Sequence, residues 1–174
     1  MTPRKLKRLL LLVLGTYTIG CNLHDSTKVP QYRTPIWVYN NDSAFFQRIH
    51  FALCSADNTL KLKFPCLTVQ PVLQISDEHG PNYVLISVTR GEFVRSADTS
   101  IKVTFDDKTP ELWPIEAHIE TDDHFVVLYH PKAFITKLKK AKYLTVEIDI
   151  KDNGLQVMKF YVAGLQWNVN AAIK

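Results

Sequence analysis

Three histidines recur at intervals of six, His118, His124 and His130, with Asp122 and Asp123 between the first two. Brought together across a hairpin, imidazoles and carboxylates of this kind could ligate a divalent metal. The spacing matches no recognised ligand pattern, and strand alternation places His118 on a polar face, so solvated histidines are the competing reading. The pairs Asp106-Asp107 and Asp122-Asp123 could bind calcium or serve as acid and base. Adjacent acids in turns chiefly cap the turn, however, and these lack the alternating oxygen ligands of a calcium loop. There is no G-x-S-x-G elbow and no glycine-rich phosphate loop, and the whole chain has only six glycines. No catalytic residue, metal ligand or cofactor site is therefore assigned. What remains is charge. Lys132, Lys137, Lys139, Lys140 and Lys142 put five lysines into eleven residues with no acid among them. They form a candidate interaction surface for anionic headgroups, cell-wall carboxylates or an acidic partner. The competing reading is a solvated helix face whose lysine stems cover apolar surface.

The elements that would carry these groups are mostly strands. Ile36 to Tyr39 opens the β-rich texture and Asn40-Asn41-Asp42 ends it. Ala44 to Leu53 fits either a strand or a short helix. Leu60 to Phe64 alternates. Val69 to Ile75 and Tyr83 to Thr89 bracket a Gly- and Pro-containing bridge, which reads as a hairpin. Ile101, Val103 and Phe105 alternate with polar residues before a turn at 106–110. Ile115 to Ile119 and Phe125 to Tyr129 read as a second hairpin. Leu144 to Ile150 and Val157 to Val162 flank the strong turn signal Asp152-Asn153-Gly154. Between these last pairs, Pro131 suits a first helical turn, and Phe134, Leu138 and Ala141 recur at helical period. A helix over about 131–142 follows. Eight or nine strands and one helix predict a mainly β chain, an antiparallel β-sandwich or barrel-like domain.

The N-terminus has a different texture. Arg4, Lys5, Lys7 and Arg8 precede the apolar run Leu9 to Leu14, and small and polar residues lead to Thr18-Ile19-Gly20-Cys21. A basic head, a short apolar core and a small residue before the cut are the parts of a secretory signal peptide. The run is far below the roughly 20 apolar residues that span a bilayer. With cysteine directly after a small residue, the segment resembles a bacterial lipoprotein signal, although Thr18 stands where an aliphatic residue is usual. The resemblance implies cleavage after residue 20, lipidation of Cys21 and anchoring to an envelope membrane, facing the periplasm. Asn22 in place of aspartate favours the outer membrane. An ordinary signal peptide, with Cys21 left as a thiol or disulfide partner, is the alternative. The expected organisation is signal 1–20, polar tether 21–34 and one β-rich domain 35–174. If Cys21 carries lipid, Cys54 and Cys66 form an even pair in an oxidising compartment and are expected to be a disulfide, worth about 3 kcal/mol for so short a loop. Two buried thiols are the alternative.

The leader also changes the charge balance. Four of the 21 basic residues lie in the first 20, leaving 17 against 17 acids in the remainder. A neutral domain gives no support to nucleic-acid binding. At 46% hydrophobic and 22% charged, the chain has a globular composition.

The stretch 101–167 has a further likeness. Val103-Thr104-Phe105-Asp106, Trp113, Phe125 to Tyr129, Phe134-Ile135-Thr136-Lys137-Leu138, Leu144 to Ile150 and Phe160 to Leu165 follow one another in an order that resembles accessory proteins of bacterial type VI secretion systems. The cysteine usual in the strand before the F-D turn is missing here. The resemblance covers about two fifths of the chain and implies a β-rich periplasmic domain without catalytic residues. Together these readings predict a non-enzymatic, membrane-anchored envelope lipoprotein that binds a protein partner, with a secretion accessory role in view. A periplasmic immunity or inhibitor lipoprotein and a hydrolase are the alternatives.

Overall fold

The computed structural model describes residues 37–42, 49–63, 67–77, 82–94, 100–116 and 123–168. The leader, Cys21, the tether, Cys66, His118 and Asp122 lie outside them. All the described residues belong to one compact unit.

Eleven strands and one helix follow in the order β1 (Trp37–Asp42), β2 (Ile49–Ser55), β3 (Leu60–Leu62), β4 (Leu67–Val69), β5 (Val72–Ser76), β6 (Tyr83–Ser87), β7 (Ser100–Phe105), β8 (Glu111–Pro114), β9 (Phe125–Val127), α1 (Pro131–Leu138), β10 (Tyr143–Ile150) and β11 (Gly154–Tyr161). They form a first sheet ordered β1-β2-β5-β6-β9, a second ordered β11-β10-β7-β8, and a β3-β4 ribbon. Every pairing is antiparallel. The mainly β sandwich expected from the sequence is therefore the fold. The second stretch, left open between strand and helix, is strand over its described part, Ile49 to Leu53.

Alternation builds the core. Cys54, Leu73, Ile75, Val84, Ile86 and Val126 of the first sheet meet Ile101, Val103, Leu144, Val146, Met158 and Phe160 of the second, all at 1% exposure or less. At about 25 cal/mol per Å² of apolar surface removed from water, this two-layer core is the main favourable contribution to folding. The sheets touch along both sides. On one, the Ile115–Leu128 bridge continues the ladder from β8 to β9, and the Tyr129 amide donates to Pro114 O at 3.0 Å. On the other, the Trp37 indole donates to Val162 O at 3.0 Å. The Asp57 amide donates to Lys159 O, while Asn58 donates to Val157 O and accepts from the Lys159 amide. Asp57 and Asn58 thus occupy the outer edge of β11, where unpaired amides would otherwise invite another strand.

The helix is shorter than its lysine run suggested. It ends at Leu138, and the Ala141 amide closes a tight turn onto Leu138 O. Asp106 explains the stop. Its carboxylate accepts hydrogen bonds from the Lys142 and Tyr143 amides at 2.8 and 2.9 Å, turning the chain into β10 there. Phe134, Ile135 and Leu138 are buried, and Ala141, expected on the helical stripe, is buried in the turn beyond it. Phe134 packs on Phe105 and edge-on against Trp113, with ring centroids 5.4 and 5.0 Å apart. Such pairs add about 0.5–1.5 kcal/mol each beyond their burial.

Candidate functional site

The lysine run divides once it is folded. Lys137 turns back to the domain, its ammonium lying 5.5 Å from the Trp113 ring centre and 5.9 Å from that of Phe105 while paired with Glu111. Lys139 donates to Trp167 O at 2.9 Å, and so holds the segment after β11, whose Trp167 indole donates to Asn82 Oδ1. Lys142 contributes positive charge beside Asp106. Lys132 and Lys140 point to solvent, and neither ammonium has an ion-pair partner among the described residues. The candidate surface is thus narrower than the five lysines expected: Lys137 and Lys139 help hold the fold, Lys142 is partly balanced, and Lys132 and Lys140 are on display.

The acid pair at 106–107 also has a structural use. Asp106 sits in the left-handed region at φ 53°, which aspartate tolerates better than most residues. The Tyr143 and Lys142 amides hold its carboxyl below the usual carboxylate range, with the charges of Lys108 and Lys142 adding to the effect. Asp107 is exposed. Of the three histidines, the two described stand apart, His124 and His130 flanking opposite ends of β9. His124 Nδ1 lies 2.7 Å from Gly91 O, so this nitrogen carries the proton. His130 occupies the residue before α1 at φ 55° and makes no side-chain cap. Among the described residues no three histidine, cysteine or acidic side chains converge as a metal site would require.

The expected Cys54–Cys66 disulfide is corrected. Cys54 is a free, fully buried thiol, whereas Cys66 lies outside the described residues. Cys54 points into the core from the inward face of β2, where its Sγ lies 3.6 Å from Tyr161 O across the sandwich. Burial, reinforced by the Asp57 charge, pushes this thiol up to about 12. It is therefore held as a neutral thiol and is a poor nucleophile at neutral pH. A thiol reagent is expected to miss Cys54 in the native chain and to label it after denaturation without reductant. A disulfide would withhold it in both cases.

A cleft of about 370 Å³ opens where the 91–92 loop meets the β10–β11 turn, lined by Lys63, Glu92, His124, Lys151, Asp152 and Asn153 among others. Two of its charges are matched to each other: Lys151 and Glu92 pair at 2.7 Å. This bond lowers Glu92 and raises Lys151 from their ordinary values. Gly91 is required beneath it, since at φ +91° a Cβ would lie 2.8 Å from Leu62 Cδ1.

One surface was not anticipated. Across the first sheet the register aligns Val38, Leu53, Gln74, Leu85 and Val127 in a single row on the face away from the core. Phe51, Val72, Tyr83 and Phe125 share that face, and none of its described side chains is charged. The outer face of the second sheet instead carries Lys102, Glu147, Asp149 and Lys159, with Lys102 and Glu147 paired at 2.9 Å. The signal lay in the strand sequences. VLQIS and YVLIS run apolar through both faces, as strands covered on both sides do, whereas YLTVEIDI alternates like a strand with one wet face.

No protein-family model, curated protein or solved structure matches the chain.

Proposed function

We propose that the protein is an exported envelope lipoprotein that holds a non-enzymatic, protein-binding β-sandwich at a membrane surface. The observation that carries this reading is the N-terminal pattern of basic head, Leu9-to-Leu14 core and Thr18-Ile19-Gly20-Cys21. The likeness of 101–167 to secretion accessory proteins agrees with it. Cys21 is the anchor, and the lipid supplies the membrane contact. No helix among the described residues is long and apolar enough to cross a membrane. Stable anchoring takes more than one acyl chain, as a lipoprotein amino terminus provides.

The partner-facing surface is the α1 end of the domain. Lys132 and Lys140, with Lys142 beside them, present an acidic protein with mobile positive charge that the fold does not consume. Such charge guides encounter and orientation more than it adds affinity. The anchor is tested by feeding labelled fatty acid to the host and fractionating its envelope. Label on the wild type, and neither label nor membrane retention for Cys21→Ala, is the expected result. An unlabelled wild type, or a Cys21→Ala chain that remains fully bound, overturns the anchor.

A further inference from the structure

A second, smaller cleft lies where β1 and β2 meet the segment after β11. It measures about 230 Å³, and its lining includes Tyr39, His50, Phe51, Asp77 and Trp167. Three aromatic rings therefore share the space with one acid, and no described lysine or arginine lines it. Contacts hold these walls in place. The Tyr39 hydroxyl accepts from the Gln166 amide at 2.8 Å. The Trp167 indole donates to Asn82 Oδ1 at 2.7 Å, and Lys139 donates to Trp167 O. Tyr39 is 44% exposed and Trp167 8%, so the cleft opens on its Tyr39 side.

Asp77 carries the charge, and its carboxylate is fixed. The His50 amide donates to Asp77 Oδ1 at 2.9 Å, and the Asp77 amide donates back to His50 O at 3.1 Å. Asp77 Oδ2 takes no hydrogen bond and no ion pair among the described residues. Asp77 is half-buried, so its charge is screened less than that of an exposed acid.

These features select a ligand. Ring faces carry negative charge and attract cations. An anion would meet the Asp77 carboxylate, and a neutral sugar would gain from the rings but leave that charge unanswered. A guanidinium offers both a flat face for the rings and a fork of N–H donors for Oδ2, whereas an ammonium is compact and strongly hydrated. The cleft is also smaller than the roughly 300–1,000 Å³ of pockets that take drug-sized ligands, which suits one side chain. We propose that it seats one arginine side chain of a protein partner, the guanidinium donating to Asp77 Oδ2 beside the rings of Tyr39, Phe51 and Trp167. The proposal rests on the protein-binding role given above and adds a contact of opposite sign to the α1 lysines.

The test titrates the full-length chain carrying Cys21→Ala with N-acetyl-arginine amide and reads the Trp167 indole and Tyr39 amide signals by NMR. Saturable shifts in the millimolar range are expected of so small a contact. Binding should be about ten-fold weaker for N-acetyl-citrulline amide, and for the arginine probe with Asp77→Asn, as loss of a charge-assisted hydrogen bond implies. Asparagine keeps an oxygen for the His50 amide, and thermal unfolding verifies that the variant is folded. Asp107→Asn, at an exposed acid elsewhere, should bind as the unsubstituted chain does. Equal binding of the citrulline or lysine analogue, unchanged binding by folded Asp77→Asn, or no saturable shift overturns the inference. So does tighter binding of a neutral sugar, N-acetylglucosamine, at the same signals. Failure here leaves the anchor and the lysine surface standing, since this experiment reads neither.

Discussion

Two surfaces of this molecule face outward with opposite chemistry. The α1 end displays Lys132 and Lys140 as mobile charges on flexible stems. The first sheet presents an outer face on which Val38, Phe51, Leu53, Val72, Leu85 and Val127 gather around Gln74. A charged surface reaches across water, selects a partner of opposite sign and weakens in salt. An apolar face acts only on contact, and its association strengthens with excluded salts. The contrast gives the two surfaces different means of contact: charge at the helix, apolar surface at the sheet.

The largest expected effect separates the two sides of the first sheet. Leu73 points into the core at 0% exposure and Leu85 to the outer face. Leu73→Ala should cost about 2–5 kcal/mol in urea unfolding, and Leu85→Ala less than about 1 kcal/mol. A comparable loss at Leu85 would make the outer face a hidden core layer, and the comparison would collapse.

Asp106→Ala comes next, because it tests whether this acid serves the fold or a site. Loss of two amide hydrogen bonds and of a residue suited to positive φ should cost about 1–2 kcal/mol. The Asp106 carboxyl is held low in the folded state. Its stabilisation is therefore complete above the unfolded aspartate value near 3.9 and is lost as pH falls through the lower folded one. The penalty of Asp106→Ala should accordingly shrink as urea unfolding is moved from neutral pH toward strong acid. A penalty independent of pH would remove the carboxylate from the account.

A smaller effect sharpens the split among the lysines. Lys137→Ala loses contacts with two aromatic rings and Glu111, and should cost about 0.5–1 kcal/mol. Lys140→Ala should stay within about 0.5 kcal/mol of wild type. Equal values, read from paired unfolding curves, would mean that the run is one undivided solvent face. Smallest of all, Lys102→Ala breaks an exposed ion pair with Glu147 on the wet face of the second sheet. It should shift the urea midpoint by no more than about 1 kcal/mol in energy, and less in high salt.

Much of the fold was legible in the residues. Alternation at Ile101, Val103 and Phe105 and at Leu144 through Ile150 marks half-buried strands, and Asp152-Asn153-Gly154 marks the turn between β10 and β11. The candidate surface was legible only in part. Five lysines close in sequence announce a charged patch, but nothing local reveals that Trp113 and Glu111 draw Lys137 back, or that Trp167 engages Lys139. Those partners arrive from 24 and 26 residues before and 28 after. The helix end had the same cause: Asp106 acts on Lys142 from 36 residues upstream. The free thiol of Cys54 was obscured because an even cysteine count says nothing about which face of a strand each occupies. The apolar sheet face was present in VLQIS and YVLIS as missing alternation. It became a surface only when the register aligned Val38, Leu53, Gln74, Leu85 and Val127.

The central claim is that this is a tethered binding protein. The most direct test is recovery of the natively anchored, tagged chain from its own host after mild crosslinking, beside the Lys132→Glu, Lys140→Glu, Lys142→Glu triple variant. The account predicts a specific envelope protein with the wild type, at least ten-fold depleted with the folded triple variant and in high salt during capture. Recovery of only lipid and abundant bystanders, or of the same protein in equal amount with the triple variant, would contradict it.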